Sequence, residues 1–532
     1  MRASFRFVPL LLAVAVGCGS MGSEGGDPSA YPDGRRPPSY PSADGGVAAT
    51  DASFGAPMDE SEGDDYEALP VAPFVRTAHD PFSTFGADVD TASYDVFVRD
   101  ATDGLLPQPE SVRLEEYVNS FAYDYDFPAD TPEPFAIHLD AAAHPYAENL
   151  ALLRVGIQAE PPPEFQKRPT TITFLMDTSG SMQSADKLPL AQRVMRASLD
   201  ALDPTDEVAI VSYAGDVAVR LAPTPVSNRA AIEAAIEGLT AGGGTAGASG
   251  IHLAYDQAQA AFKVGGFNHV VLCTDGDFNI GISDTDALVA LIEEKRETGV
   301  TLTALGFGRG NLNDAMMERV SNAGNGFYSV ITSEAHADRY ARENLLQGVH
   351  LVAKDVKIQL ELNPEHVVAY RLLGYENRAI ADDDFRVDTV DAGEVGADHR
   401  VTALYELVLT GSDVPTPEGA PEVVDGEPVD GAREIGATEL VRVKVRWKHV
   451  DATSTDPAYE TMRAIAPEDV GTEGDEDFAF AAALAMMAQQ LRGSPFAVPE
   501  AMDAVGAVFA AQAGRDDRRA ELAALFSAVM GE

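Results

Sequence analysis

The chain has 532 residues, 45% of them hydrophobic and 23% charged, enough for several structural units with buried cores. Asp and Glu total 85 against 38 Lys and Arg, a formal charge of −47, which excludes a sequence-independent nucleic-acid binder and a polybasic lipid-docking surface. Only two cysteines are present, so there is no disulfide framework and no cysteine-rich zinc or redox motif.

Arg2 and Arg6 precede an apolar run over 7–16, too short to span a bilayer and suited to a signal peptide over 1–17. Ala15-Val16-Gly17-Cys18 resembles a bacterial lipobox, with Ala15 in place of the usual leucine. The resemblance implies cleavage before Cys18, lipidation of Cys18 and a place in the bacterial cell envelope. Gly19 stands where an aspartate would signal inner-membrane retention, so the outer membrane is expected. Acyl chains contributing about 0.8 kcal/mol per buried methylene would be the protein's sole membrane contact. Residues 19–75 carry eleven acids, two arginines and many Gly, Pro, Ser and Ala, so 18–75 reads as a lipidated cysteine and a disordered acidic tether.

Structured patterning starts at 76. Over 76–160, strand-like runs at 85–89, 135–139 and 150–157 mix with a helical stretch at 114–121, an N-terminal α+β domain. Over 165–345, the strands ITFLM, EVAIVSY, VAVRL, NHVVLCT, VTLTALGFG and GFYSVI alternate with helical segments such as 228–238, 248–262, 284–298 and 312–321. Near-continuous apolar strands between amphipathic helices indicate α/β architecture: a doubly wound, mainly parallel, Rossmann-like sheet with its ligand site beyond the strands' carboxyl ends. Over 346–455, DVKIQLEL, HRVTALYELVL and ELVRVKVRWKHV alternate as a β-rich, sandwich-like domain. The remainder, 456–532, is a C-terminal helical region in which FAFAAALAMMAQQL is too short to cross a membrane and reads as a packed helix.

The chemistry concentrates at the strand ends of 165–345. Asp177-Thr178-Ser179-Gly180-Ser181 follows ITFLM and can aim three oxygens toward one point. Gly242-Gly243-Gly244-Thr245 adds a hydroxyl on a loop, and Cys273-Thr274-Asp275 sets Asp275 at the end of another strand. Few charges and several hydroxyls suit a small octahedral cation that keeps waters and accepts an outside carboxylate. These three segments, in this order, resemble the metal-ion-dependent adhesion site of von Willebrand factor type A (VWA) domains. The resemblance implies Ser179, Ser181 and Thr245 as hydroxyl ligands, with Asp177 and Asp275 acting directly or through coordinated water. It also implies a divalent cation, Mg²⁺ with Mn²⁺ or Ca²⁺ as alternatives, and a protein partner that supplies an Asp or Glu carboxylate. The segments DPFSTFGADVDTASYDVFVRD, PESVRLEEYVNSFAYDY, GYENRAIADDDF and DFAFAAALA look like the flanking regions, themselves of unknown function, in a group of bacterial VWA envelope proteins. The expected function is partner binding without catalysis; the alternatives are a scaffold whose metal only stabilises it and a hydrolase whose site lies outside the VWA module.

Weaker candidates have simpler readings. Asp88-Val89-Asp90-Thr91-Ala92-Ser93 reads as a strand end followed by a helix capped by Thr91 or a neighbour. Asp124, Asp126 and Asp130 lack the glycine and terminal Glu of an EF-hand, and Asp382-Asp383-Asp384 reads as a solvated turn. The strand at 441–448 lines Arg442, Lys444, Arg446 and Lys448 along one face. These cations either pair with the acidic loop of Glu418, Glu422, Asp425, Glu427 and Asp430 or dock an acidic partner. Cys273, in an apolar strand, reads as core. No G-x-S-x-G, P-loop, HExxH or dinucleotide fingerprint occurs in a fitting context.

Overall fold

The computed structural model describes residues 63–87, 90–128, 131–161, 168–243, 247–276, 285–345, 351–388, 390, 392–426, 434–450, 452 and 456–531. All of them belong to the unit Ala43–Glu532. The signal segment 1–17, Cys18 and the tether up to 62 lie outside the described residues.

Residues 170–343 form the doubly wound module. Its elements in chain order are β5 (Thr170–Asp177), α3 (Leu188–Ser198), β6 (Glu207–Tyr213), β7 (Val217–Pro225), α4 (Arg229–Glu237), α5 (Gly247–Ala260) and β8 (Phe267–Thr274). They continue with α6 (Thr285–Arg296), β9 (Thr301–Phe307), α7 (Asp314–Ala323), β10 (Tyr328–Ile331) and α8 (Glu334–Glu343). The sheet order is β10-β9-β8-β5-β6-β7, parallel except for the edge strand β7, which runs antiparallel to β6. All eight residues of β5 and of β8 are buried, as central strands covered on both faces must be. One face packs on α3, α4 and α8 through Ala191, Val194, Ile232, Ile236, Ala337 and Tyr340. The other packs on α5, α6 and α7 through Ile251, Ala254, Leu288, Ile292, Met317 and Val320. Cys273 is fully buried in β8, as expected of a core residue, and burial raises its thiol pKa out of the reactive range.

The flanks do not form separate domains. Ahead of the module lie β1 (Val75–Arg76), β2 (Phe82–Gly86), α1 (Ala92–Thr102), α2 (Leu114–Asn119), β3 (Phe135–Ala143) and β4 (Ala151–Ala159). After it come β11 (Leu351–Leu362), β12 (Val367–Leu373), β13 (Gly393–Gly396), β14 (Arg400–Leu409), β15 (Val441–Lys448) and β16 (Tyr459–Ile465). One sheet has the order β1-β12-β14-β4-β3, and the other runs β13-β11-β15-β16 with β2 also paired to β11. Every pairing within these two sheets is antiparallel, and three of them cross from one flank to the other: β1 with β12, β4 with β14 and β2 with β11. The expected boundary between 76–160 and 346–455 therefore gives way to one sandwich with the VWA-like module inserted in it. Strand β16 extends that sandwich into the segment expected to be helical.

The sheet containing β4 is buried on both sides. Its inner face meets the other sheet through Leu153, Val155, Tyr405 and Leu407. Its outer face meets α1, α2 and the C-terminal helices α9 (Glu476–Leu491), α10 (Met502–Gln512) and α11 (Asp517–Val529) through Leu152, Leu404, Phe121 and Phe480. This double covering makes all nine residues of β4 buried. It also buries α9 almost all round, the packed helix expected there; no helix among the described residues is long and apolar enough to cross a membrane.

Segment α1 covers the β10 edge of the module. Asp90 Oδ1 accepts from Tyr328 N at 2.8 Å, and Asp95 Oδ2 accepts from Ser329 Oγ at 2.8 Å and Val330 N at 3.3 Å. These carboxylates occupy the edge's free donors, which would otherwise template pairing with another strand. Asp88 and Val89 lie outside the described residues; the helix start at Ala92 matches the simpler reading, although Thr91 bonds Asp95 rather than capping the backbone.

Candidate functional site

The site forms where β5 and β8 end side by side. Asp177, the last residue of β5, is fully buried. Its Oδ1 accepts from Ser179 N at 2.8 Å, and its Oδ2 accepts from Thr274 Oγ1 at 3.0 Å and from the Tyr213 hydroxyl at 3.2 Å. The turn this fixes puts Ser179 Oγ 2.9 Å from Ser181 Oγ. Met182, anchored in the core below, holds the turn down while Ser181 stays exposed at the mouth. Ser181 also helps to lower the pKa of Asp275, so four of the five expected ligands, Asp177, Ser179, Ser181 and Asp275, gather at these two strand ends. Thr245 and Gly244 lie outside the described residues. The adjoining Gly242 and Gly243 tie their loop to the turn, Gly242 N donating to Thr178 O at 2.8 Å and Gly180 N to Gly243 O at 3.2 Å.

The two carboxylates are pushed in opposite directions. Burial, aided by the charge of Asp275, raises Asp177 above the usual carboxylate range against its bonds to Ser179 and Thr274. Burial would raise Asp275 too, but hydrogen bonds from Asn311, Lys187 and Ser181 and the Lys187 charge outweigh it and hold this carboxyl below the usual range.

Lys187, which the fold places against Asp275, is a residue the sequence did not point to. It is only 8% exposed, and its Nζ lies 2.9 Å from both Asp275 Oδ2 and Asn311 Oδ1. Its stem crosses Gly308, where φ is +78° and a Cβ would sit 2.4 Å from Lys187 Cε. Gly276, with φ +95°, likewise lets the 311–313 backbone approach within 2.5 Å of where its Cβ would be. The 308–314 loop is itself clamped from the N-terminal side. Asp64 Oδ1 accepts from Gly310 N at 2.7 Å and Leu312 N at 3.0 Å, while Arg99 bridges Asp64 at 2.7 Å and donates to Gly308 O at 3.0 Å. Residues 63–75 are therefore packed structure rather than the end of a tether, because Arg99 and backbone N–H groups satisfy Asp64 in a buried position.

The donor set, two carboxylates and two neighbouring serine hydroxyls at adjacent strand ends, has the hard-oxygen chemistry that a small divalent cation requires. The other candidates resolve differently. The cations of β15 are consumed internally: Lys444 meets Glu434 at 2.8 Å and Glu361 at 3.5 Å, Arg446 meets Asp388 at 2.6 Å, Lys448 meets Asp355 at 3.0 Å and Arg442 meets Glu439 at 2.7 Å. Internal pairing holds, but with these acids rather than the expected loop, of which Asp425 pairs with Arg76 and Glu427 and Asp430 lie outside the described residues. With Lys444 and Lys448 at most 2% exposed, the strand offers no docking face. Asp382 is not merely solvated, since it accepts from Thr84 Oγ1 at 2.5 Å. Asp124 pairs with Arg515, and Asp130 lies outside the described residues. A cleft of about 400 Å³ between the module and the sandwich is lined by Arg296, Arg319 and Arg378, which already engage Asn325, Asp286 and Asp90.

Comparison with known proteins agrees with this architecture. The family model described as von Willebrand factor type A domain matches residues 171–341, the inserted module. A second von Willebrand factor model matches 60–154, and the model for the C-terminal part of uncharacterized protein YfbK matches 348–530. Uncharacterized protein YfbK of Escherichia coli (strain K12) is 39% identical over 443 residues, covering 81% of this chain and 74% of that protein. The chain belongs to the YfbK family. Within it the three matched regions correspond to the forward flank, the VWA domain and the rear flank. Uncharacterized protein sll0103 of Synechocystis sp. is 27% identical over 262 residues, 48% of this chain and 61% of that one. The solved structure of a von Willebrand factor type A protein from Catenulispora acidiphila is 20% identical, covers 75% of this chain and 89% of that chain, and has a TM-score of 0.40.

Proposed function

We propose that this YfbK-family protein uses its VWA domain to bind an acidic group of a protein partner through a divalent cation, without catalysing a reaction. Asp177, Ser179, Ser181 and Asp275, with Thr245 from the adjoining loop, would hold Mg²⁺, or Mn²⁺ or Ca²⁺ in its place. When bound, the cation supplies an open coordination position for an Asp or Glu carboxylate. The observation that carries this reading is the gathering of oxygen donors at two adjacent strand ends, where Asp177 fixes the turn through Ser179 N, Ser179 Oγ lies 2.9 Å from Ser181 Oγ, and Asp275 follows the neighbouring strand. The chain's own residues orient the donors: Thr274 and Tyr213 aim Asp177, while Lys187, itself held by Asn311, aims Asp275. The lipobox-like Cys18 extends the proposal to an envelope lipoprotein of the outer membrane, held there by lipid alone.

Calorimetric titration with Mg²⁺ tests the site: wild type binds, and Asp177→Ala and Ser179→Ala lose binding while their circular dichroism is unchanged. Capture of envelope proteins on the immobilised chain then disappears with EDTA and in Asp177→Ala. Capture that survives both treatments would return the scaffold reading.

A further inference from the structure

An ammonium group clasped to a proposed metal ligand is an unusual neighbour for a cation site. Lysine is almost never buried unless paired, and here its pair is a carboxylate that a metal would also want. We propose that Lys187 is a built-in counter-cation that keeps the site short of negative charge, so that a divalent cation binds weakly alone and tightly together with an acidic ligand. This inference rests on the metal-site reading above.

Three observations carry it. The first is charge: among the described donors only Asp177 and Asp275 are anionic, and Lys187 cancels one of them. An incoming divalent cation meets a protein charge of about one rather than about two, and keeps an electrostatic deficit that a carboxylate from outside can fill. The second is immobility. Lys187 cannot swing away to accommodate the metal, because its stem is pressed against Gly308 and its Nζ is shared with Asn311. The neighbours of Asn311 are in turn tied to Asp64. The third is geometry: Lys187 Nζ holds one named oxygen of Asp275, Oδ2, at 2.9 Å and so restrains the carboxylate's orientation. Lys187 is thus a positioning and charge-setting residue, and coupling between metal and acidic ligand follows as a reciprocal binding effect.

The test is Mn²⁺ binding to the full chain, followed by electron paramagnetic resonance with and without saturating acetate as the probe carboxylate. Lys187→Met and, as a second neutral variant, Lys187→Gln are expected to bind Mn²⁺ alone roughly tenfold tighter or more. Both should lose most of the tightening that acetate confers on wild type, and Lys187→Arg, which keeps the charge, should stay close to wild type. A purely structural lysine predicts the opposite sign, weaker Mn²⁺ binding in every variant, and that result overturns the inference. Equal Mn²⁺ affinity in wild type and the neutral variants overturns it too, while leaving the metal site standing. Absence of Mn²⁺ binding in wild type overturns the site and the inference together, which separates the two failures.

Discussion

The VWA domain and the sandwich around it reach similar burial by opposite routes. In the domain, adjacent strands such as β5 and β6 or β8 and β9 lie within some forty residues of each other, joined by helices that cover them at once. In the sandwich, β4 finds β14 only after the whole domain has intervened, and β2 finds β11 across a similar span. One region is made of local units and the other of long-range pairings, so the first should tolerate the loss of the second far better than the reverse.

Truncation after residue 345 is the strongest way to break that contrast. It removes the partners of β1, β2 and β4 together with the helices that cover the sheet. Limited proteolysis should digest 63–160 while 168–345 stays protected; a protected forward flank would show that it folds alone. Next in size is Arg113→Met at the seam between α2 and α7. Arg113 is 3% exposed and meets Asp314 at 2.7 Å and Glu318 at 2.8 Å, so its removal strands buried carboxylates. Urea unfolding should register a loss of about 3–5 kcal/mol. Gly276→Ala acts inside the domain, forcing a positive φ and a clash with the 311–313 backbone. Its expected cost is about 1–3 kcal/mol, read in the domain's transition and not in the sandwich's.

The smallest effect is a pH dependence confined to the sandwich. Burial, reinforced by the neighbouring Asp80 carboxylate, pushes Asp382 up to about 7. The folded state thus keeps a proton that the unfolded chain releases near 3.8. The stabilisation is complete below that value and is lost as pH rises through 7. Thermal melts of Asp382→Asn should show a flatter pH profile between 4 and 7, and more stability than wild type at pH 8.

The same contrast explains what the sequence could reveal. The domain was legible because its strands are unbroken apolar runs and its donors sit directly at strand ends, Asp177 after β5 and Asp275 after β8. Lys187 was not, because a lysine soon after a polar turn looks solvated; only Gly308 and Asn311, over a hundred residues on, bury it. Alternation in 76–160 and 346–455 indicated strands and faces but carried no information on partners, so one sandwich looked like two domains. The basic face of β15 was visible for the same reason. Its acids were misplaced because Glu361 reaches it from the neighbouring strand, where it stands opposite Arg442 in the register.

Insertion of the domain also sets a clock on synthesis. Strand β4 is buried on both faces in the finished fold and has only β3 beside it until β14 emerges, about 240 residues later. At about 5–20 residues per second that interval is roughly 10–50 s, during which the VWA domain can close on itself while the forward hairpin waits with an open edge. The length of the inserted domain therefore fixes how long this hairpin keeps an open edge, and shortening the insertion would shorten that vulnerable period in proportion.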